Sequence, residues 1–129
     1  NLAFGENINN LDDFIFLGQN IKLKYIQPDL TKYGGITLIS NLSKTIQSNK
    51  IWMHFLGSGV GLLTSAHIMS AINPSAFLET DINVNPLRTN LFKNELKIEG
   101  GKINFTDDHG IGGPLDFDTI NKYLISSNI

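Results

Sequence analysis

Three side chains with acid–base chemistry stand at the carboxyl ends of runs that read as β-strands. Asp29 follows Lys24–Gln27, His54 lies in Ile51–Phe55, and Glu79 closes Ala76–Glu79. An imidazole works as a general base when a carboxylate holds its other nitrogen, which fixes the tautomer and stabilises the cation. Strand ends on adjacent parallel strands bring Asp29 and His54 within that reach. Glu79 offers a second acid able to donate a hydrogen bond to a developing enolate; its plain alternative is a solvated strand end. Lys32 can neutralise a substrate carboxylate or simply pair with Asp29. Glu6, in Gly5-Glu6-Asn7, is one more strand-end carboxylate. Mg2+ usually takes several oxygen ligands and keeps some waters, so a single Glu is a partial site whose other ligands would come from upstream of Asn1. Taken one at a time, these residues read as well as a loop cap or a surface histidine; their recurrence at matching strand ends is what points to catalysis.

Gly57-Ser58-Gly59-Val60-Gly61 follows a strand and opens a helix, with Glu79 about 20 residues on, as in a dinucleotide-binding turn. The third glycine falls one residue early, leaving Leu62 where Gly or Ala belongs, and His54 ends the strand beneath. The preferred use is therefore the other service of a glycine-rich helix start, holding a substrate carboxylate or phosphate, with Gly57 and Ser58 as the contacting residues. His67 falls inside the following buried helix and reads as packing. His109, in Asp107-Asp108-His109-Gly110, reads as a turn residue.

The elements that must position these groups follow from periodicity. Leu2-Ala3-Phe4 reads as a strand end. Asn10 is a fitting N-cap for a helix bearing Asp12, Asp13, Phe14 and Ile15, which Gly18 would close. Pro28 stops the next strand. A helix follows Gly34-Gly35 with Leu38, Ile39, Leu42 and Ile46 on one face, and a buried helix covers Leu62 to Ile72, broken by Asn73-Pro74. The order β-α-β-α-β-α-β implies parallel strands with right-handed crossovers. Leu96–Glu99 and Lys102–Phe105 alternate around Gly100-Gly101 as a β-hairpin, and Asp116 can cap a short closing helix holding Ile120, Tyr123 and Leu124.

The 129 residues, 41% hydrophobic, suffice for one compact core. A complete (β/α)8 barrel needs about 250. A net charge of −2 gives no footprint for nucleic acid or an anionic membrane. No apolar run approaches the roughly 20 residues of a membrane span. Cysteine is absent, which excludes disulfides and thiolate metal sites and leaves cytoplasm as the default compartment. The chain opens on Asn1 without a basic-then-apolar leader and reads as a cut piece.

In order, Gly5-Glu6-Asn7, Pro28-Asp29-x-x-Lys32-x-Gly34-Gly35, His54-x-Leu56-Gly57-Ser58-Gly59, Leu78-Glu79, Asn85-Pro86-Leu87-Arg88 and Gly110-Ile111-Gly112 resemble the late barrel strands of the enolase superfamily. The mandelate racemase subgroup of the mandelate racemase/muconate lactonizing enzymes, with its acid-sugar dehydratases, is the nearest pattern, and the likeness runs from Leu2 to Tyr123. The resemblance implies an α/β fold, strands five to eight of a (β/α)8 TIM barrel. Residues 1–90 would form the barrel part, with a composition shift near Asn85-Pro86. Residues 91–129 would be a hairpin-and-helix tail returning to a capping domain. It implies Glu6 as the third Mg2+ ligand, His54 and Asp29 as the proton-abstracting dyad, and Glu79 as the electrophilic acid. Lactonizing and epimerase relatives carry a lysine near position 29, so the aspartate points to the racemase side. A Lys or His base with Mg2+ stabilising an enediolate is the known chemistry of that superfamily.

The capping domain, early strands, Lys-x-Lys motif and two other carboxylate ligands of the family are missing from these residues. The expectation is thus a Mg2+-dependent dehydratase or racemase of a small hydroxy-carboxylic acid in the intact protein, without activity in this chain alone. About four strands cannot close a barrel. The open edges and inner face predict self-association, and the intact protein reads as a homo-oligomer. The rivals are a non-catalytic nucleotide-binding module built on Gly57–Gly61 and a degenerate homologue that scaffolds a partner.

Overall fold

In the computed structural model, residues 1–19, 22–94 and 97–125 are described. Leu96, expected in the hairpin, lies outside them. Strand β1 (Leu2–Phe4) is followed by helix α1 (Leu11–Gln19), strand β2 (Leu23–Ile26), helix α2 (Gly35–Thr45) and a single 3₁₀ turn at Ser48–Lys50. Helix α3 (Gly59–Ile72), a one-turn helix α4 (Pro86–Thr89), strands β3 (Ile98–Glu99) and β4 (Lys102–Ile103), and helix α5 (Phe117–Tyr123) complete the order.

β1 and β2 pair in parallel, with Phe4 opposite Ile26. The expected strands at 51–55 and 76–79 are not regular: only Ile51 enters a ladder, in a parallel bridge to Ile26. The main chain nevertheless continues the sheet one bond at a time. The Trp52 and His54 amides donate to the Ile26 and Pro28 carbonyls (3.0 and 3.2 Å), and the Glu79 amide donates to the Met53 carbonyl (3.2 Å). Pro28 itself has no amide to give, which thins the ladder where the third segment meets the second. Four segments therefore run side by side in sequence order, joined mainly near their carboxyl ends.

Alternation along these segments sorts their faces. Ile26, Ile51 and Met53 are fully buried and meet Phe14, Ile39, Leu42, Ile68 and Met69 from the helices in one core. On the other face Tyr25 stacks on Trp52 (3.8 Å between ring centres), and Trp52 meets the edge of Phe77 (5.2 Å). β1 is an uncovered edge, with Leu2 and Phe4 exposed, and Phe77 is exposed on the aromatic face.

Two helix ends differ from expectation for one reason, the close approach that glycine permits. Gly18 does not end α1 but lies within it, where a Cβ would come 2.9 Å from the Ile46 side chain. α3 begins at Gly59, three residues before the expected Leu62, so the glycine loop supplies its first turn. α3 is buried nearly all round, as a helix between a sheet and further layers must be. A second, smaller cluster joins Leu63 of α3 to Leu87, Leu91, Phe92, Ile103, Ile111 and Ile120, seating the tail on α3 and α4. β3 and β4 pair antiparallel around Gly100 and Gly101, whose φ of 57° and 75° suit a tight hairpin turn. Asp116 caps α5, its carboxylate accepting from the amides of Asp118 and Thr119.

Candidate active site

Asp29 follows the Pro28 break and is buried at 4% exposure. A carboxylate taken that far from water needs compensating donors. The turn it heads supplies two on one oxygen: the Thr31 amide (2.9 Å) and hydroxyl (2.6 Å) both donate to Oδ1. That leaves Oδ2 facing His54 Nδ1 at 3.5 Å and Lys32 Nζ at 4.0 Å. The His54 separation is ion-pair range and longer than a formed hydrogen bond. Nδ1 is buried and has no other partner. Among the described residues, the Asp29 carboxylate is thus the polar group that faces Nδ1 of the imidazole.

Lys32 is half exposed and donates to Asn7 Oδ1 at 3.0 Å. It bridges the turn after the β2 segment to the turn after β1, keeping a cation beside Asp29. Glu79 lies on the same sheet face: Gln27 Nε2 donates to its Oε2 at 2.6 Å, spanning from the second segment to the fourth. Asp29 and His54 are therefore brought together, and Glu79 is tied to Gln27, two residues before Asp29. Glu6 stands in the turn after β1, half-buried. Among the described residues no three His, Cys, Asp or Glu side chains gather as a metal site. Glu6 alone does not make a Mg2+ cage.

Gly57 and Gly61 serve packing. A Cβ at either would meet the Phe55 ring, at 2.5 Å and 2.2 Å respectively, and one at Gly59 would meet the Arg88 carbonyl at 2.7 Å. The glycine turn closes over the aromatic side chain next to His54, and Ser58 stands at the start of α3 without a side-chain cap bond. His67 stacks on Phe105 (4.2 Å) and bonds through Nε2 to the Ile111 carbonyl at 3.1 Å, a tie between α3 and the tail. His109 is exposed in a bend.

Sequence reasoning gave no role to Gln27, Asn7, Thr31 or Arg88. A signal for Gln27 was present: it precedes Asp29 by two residues, as Trp52 precedes His54 and Phe77 precedes Glu79, and a two-residue step keeps the same face. Asn7 and Thr31 carry no comparable signal, since their contacts depend on turns.

The profile of the family described as Enolase C-terminal domain-like matches residues 1–119. Arabinonate dehydratase of Saccharolobus solfataricus is 27% identical over 105 residues, covering 79% of this chain and 28% of that protein. A mandelate racemase/muconate lactonizing enzyme-like protein from Rubrobacter xylanophilus superposes with a TM-score of 0.74 at 25% identity, over 93% of this chain and 32% of its own. An enolase from Pantoea ananatis, solved with bound D-gluconate and Mg, superposes with a TM-score of 0.73 over 93% of this chain and 30% of its own; at 19% identity that likeness concerns the fold alone. The chain spans about a third or less of the length of these proteins. With all but its last residues inside the family match, the chain belongs to the enolase C-terminal domain-like family, alongside proteins of the mandelate racemase/muconate lactonizing enzyme type.

Proposed function

We propose that this chain is the late-strand part, strands five to eight, of a (β/α)8 barrel enzyme that removes a proton α to the carboxylate of a small acid sugar. Residues 1–90 form the barrel part and residues 91–129 the tail that returns to a capping domain. The observation that carries the reading is the buried pair of Asp29 Oδ2 and His54 Nδ1 at 3.5 Å, with no other partner on that nitrogen. His54 takes the α-proton on its second nitrogen, and the Asp29 carboxylate stabilises the imidazolium that results. Glu79, held through Oε2 by Gln27, presents its other oxygen to the developing enediolate. In a dehydration the β-hydroxyl leaves next, and His54 returns its proton to it. The likeness to arabinonate dehydratase favours dehydration over racemisation. Lys32 and the Gly57-Ser58 turn flank the substrate carboxylate. Glu6 offers one oxygen to Mg2+, and the remaining ligands would come from residues outside this chain, which for the same reason is inactive alone.

His54→Asn in the intact protein tests the reading. The variant is expected to lose at least about 10³-fold in acid-sugar turnover while folding normally, a general-base loss within the usual range. Turnover within about threefold of the unsubstituted enzyme would reject the dyad.

The exposed β1 edge, with Leu2 and Phe4, and the open aromatic face call for cover. The isolated chain is expected to self-associate, and a stable monomer by sedimentation at crystallisation concentrations would count against that.

A further inference from the structure

The segment that carries Glu79 leads into a turn with no apolar anchor. Ile82 and Val84 are 98% and 96% exposed, so packing does nothing to hold residues 81–85. Polar ties hold it instead, and they converge on one side chain. Asp81 Oδ1 accepts the Asn83 amide (2.9 Å) and the Asn83 side-chain amide (2.7 Å). Arg88, from α4, donates through Nη2 to the Asn83 carbonyl and places Nη1 3.8 Å from Asp81 Oδ2. Its side chain is 7% exposed, and Nη1 is buried without a hydrogen bond. Arg88 thus shuts the stretch from Asp81 to Asn83 into a ring beginning two residues after Glu79. Its own carbonyl lies 2.7 Å from where a Cβ on Gly59 would be, against the first residue of α3. Asn85 adds a bond to the Gly57 carbonyl at 3.4 Å.

We infer that Arg88 is a positioning residue for the Glu79 carboxylate: it fixes the Asp81–Asn83 turn to the α3 start, and so sets where Glu79 stands relative to Gln27 and His54. This deepens, and rests on, the reading of Glu79 as the acid facing the developing enediolate. Among the described residues, Glu79 is held upstream by its amide bond to Met53 and its side-chain bond to Gln27, with Ala76 and Leu78 of its segment packed on the core and Phe77 on Trp52. A buried guanidinium with an unbonded nitrogen is an expensive way to brace an exposed loop. Its return is precision at the carboxylate.

The Gln27 side-chain amide is the reporter, because it donates directly to Glu79. Amide-nitrogen correlation spectra of the 129-residue chain would be compared for Glu79→Ala, Arg88→Met and Asp81→Asn. Glu79→Ala marks the position of the freed amide. Arg88→Met and Asp81→Asn are expected to move the Gln27 side-chain resonances in the same direction, while Ser65→Ala, a buried hydroxyl without a partner on α3, leaves them in place. Should Arg88→Met not fold, Asp81→Asn, on a side chain 23% exposed, decides alone. Folded variants with unmoved Gln27 resonances would overturn the inference. In the intact enzyme, Arg88→Lys should lower kcat at unchanged KM and add nothing to Glu79→Gln. Full loss from both variants together, as the product of the single losses, would also overturn it. If Glu79→Gln itself leaves turnover intact, the assignment of Glu79 fails, whereas the positioning is still read from Gln27.

Discussion

Gly61→Ala sets two effects of known size against each other. Position 61 is inside α3, where alanine normally improves on glycine by about 1 kcal/mol. Here the added Cβ would fall 2.2, 2.4 and 3.0 Å from three atoms of the Phe55 ring. The ring is buried at 5% exposure, so moving it aside disturbs the side chains packed around it. Overpacking a fixed core costs typically 1–3 kcal/mol, and contacts this short belong at about 3. The clash wins by roughly 2 kcal/mol after the helix gain is subtracted. For a chain of this size that lowers the melting temperature by about 8 °C. Urea unfolding of both chains gives the difference directly, with an unchanged m-value showing that only stability moved. Phe55→Leu in the Gly61→Ala background should recover part of the loss, because the contact is then relieved. A Gly61→Ala chain as stable as the parent, or more stable, would refute the argument. Position 61 would then need no special room beside the Phe55 ring.

Gln27→Ala should separate stability from activity. The bond it removes is exposed, so unfolding free energy should change by less than about 0.5 kcal/mol, while turnover of the intact enzyme falls because Glu79 loses its bridge. Equal turnover in the variant would show that Gln27 does not orient Glu79. Burial pushes the Tyr33 hydroxyl above its ordinary value of 10.0, since the anion is disfavoured away from water. A raised acid contributes stability that is complete below the ordinary value and is lost as pH rises through the raised one. Melting curves taken across that range should fall for the parent and stay flatter for Tyr33→Phe, whose ring keeps the edge contact to Phe14. Parallel curves for the two chains would remove Tyr33 as the cause.

Local chemistry was readable from the residues where a local rule suffices. Asp116 as a cap needs only its own following amides, the Gly100-Gly101 turn needs only two positive φ values, and Leu2–Phe4 forms the expected strand. What failed depends on partners distant in sequence. Gly18 carries the same letter whether it ends a helix or admits Ile46, and only the packing of α1 on the chain after α2 chooses. The runs at 51–55 and 76–79 have strand composition, yet a regular ladder also needs a neighbour in register. Pro28 removes one donor, and the segment at 76–79 shows a single bond to the third. Asp29 and His54 were legible because two strand ends sufficed to meet. Asn7 and Arg88 were not, since each acts through a turn whose path the sequence leaves open.

The dyad's geometry is inherited from the core rather than built beside it. Met53 and Phe55 are buried at 0% and 5% exposure and flank His54, so the imidazole's side of the segment is fixed by its neighbours' burial. Sliding this run by one residue would put His54 into the cluster of Ile26, Ile68 and Met69 and lift Met53 to the polar face. That exchange takes the imidazole from Asp29 and sets it among apolar side chains, and it puts a thioether beside the buried Asp29 carboxylate, two penalties of the same sign. A regular ladder is therefore unnecessary for holding His54 in place. The ragged third segment can hold His54 in place because alternate side chains, more than backbone pairing, specify its register. The same logic assigns Phe55 a second duty, since the ring that locks the register is the one that Gly57 and Gly61 are shaped to admit.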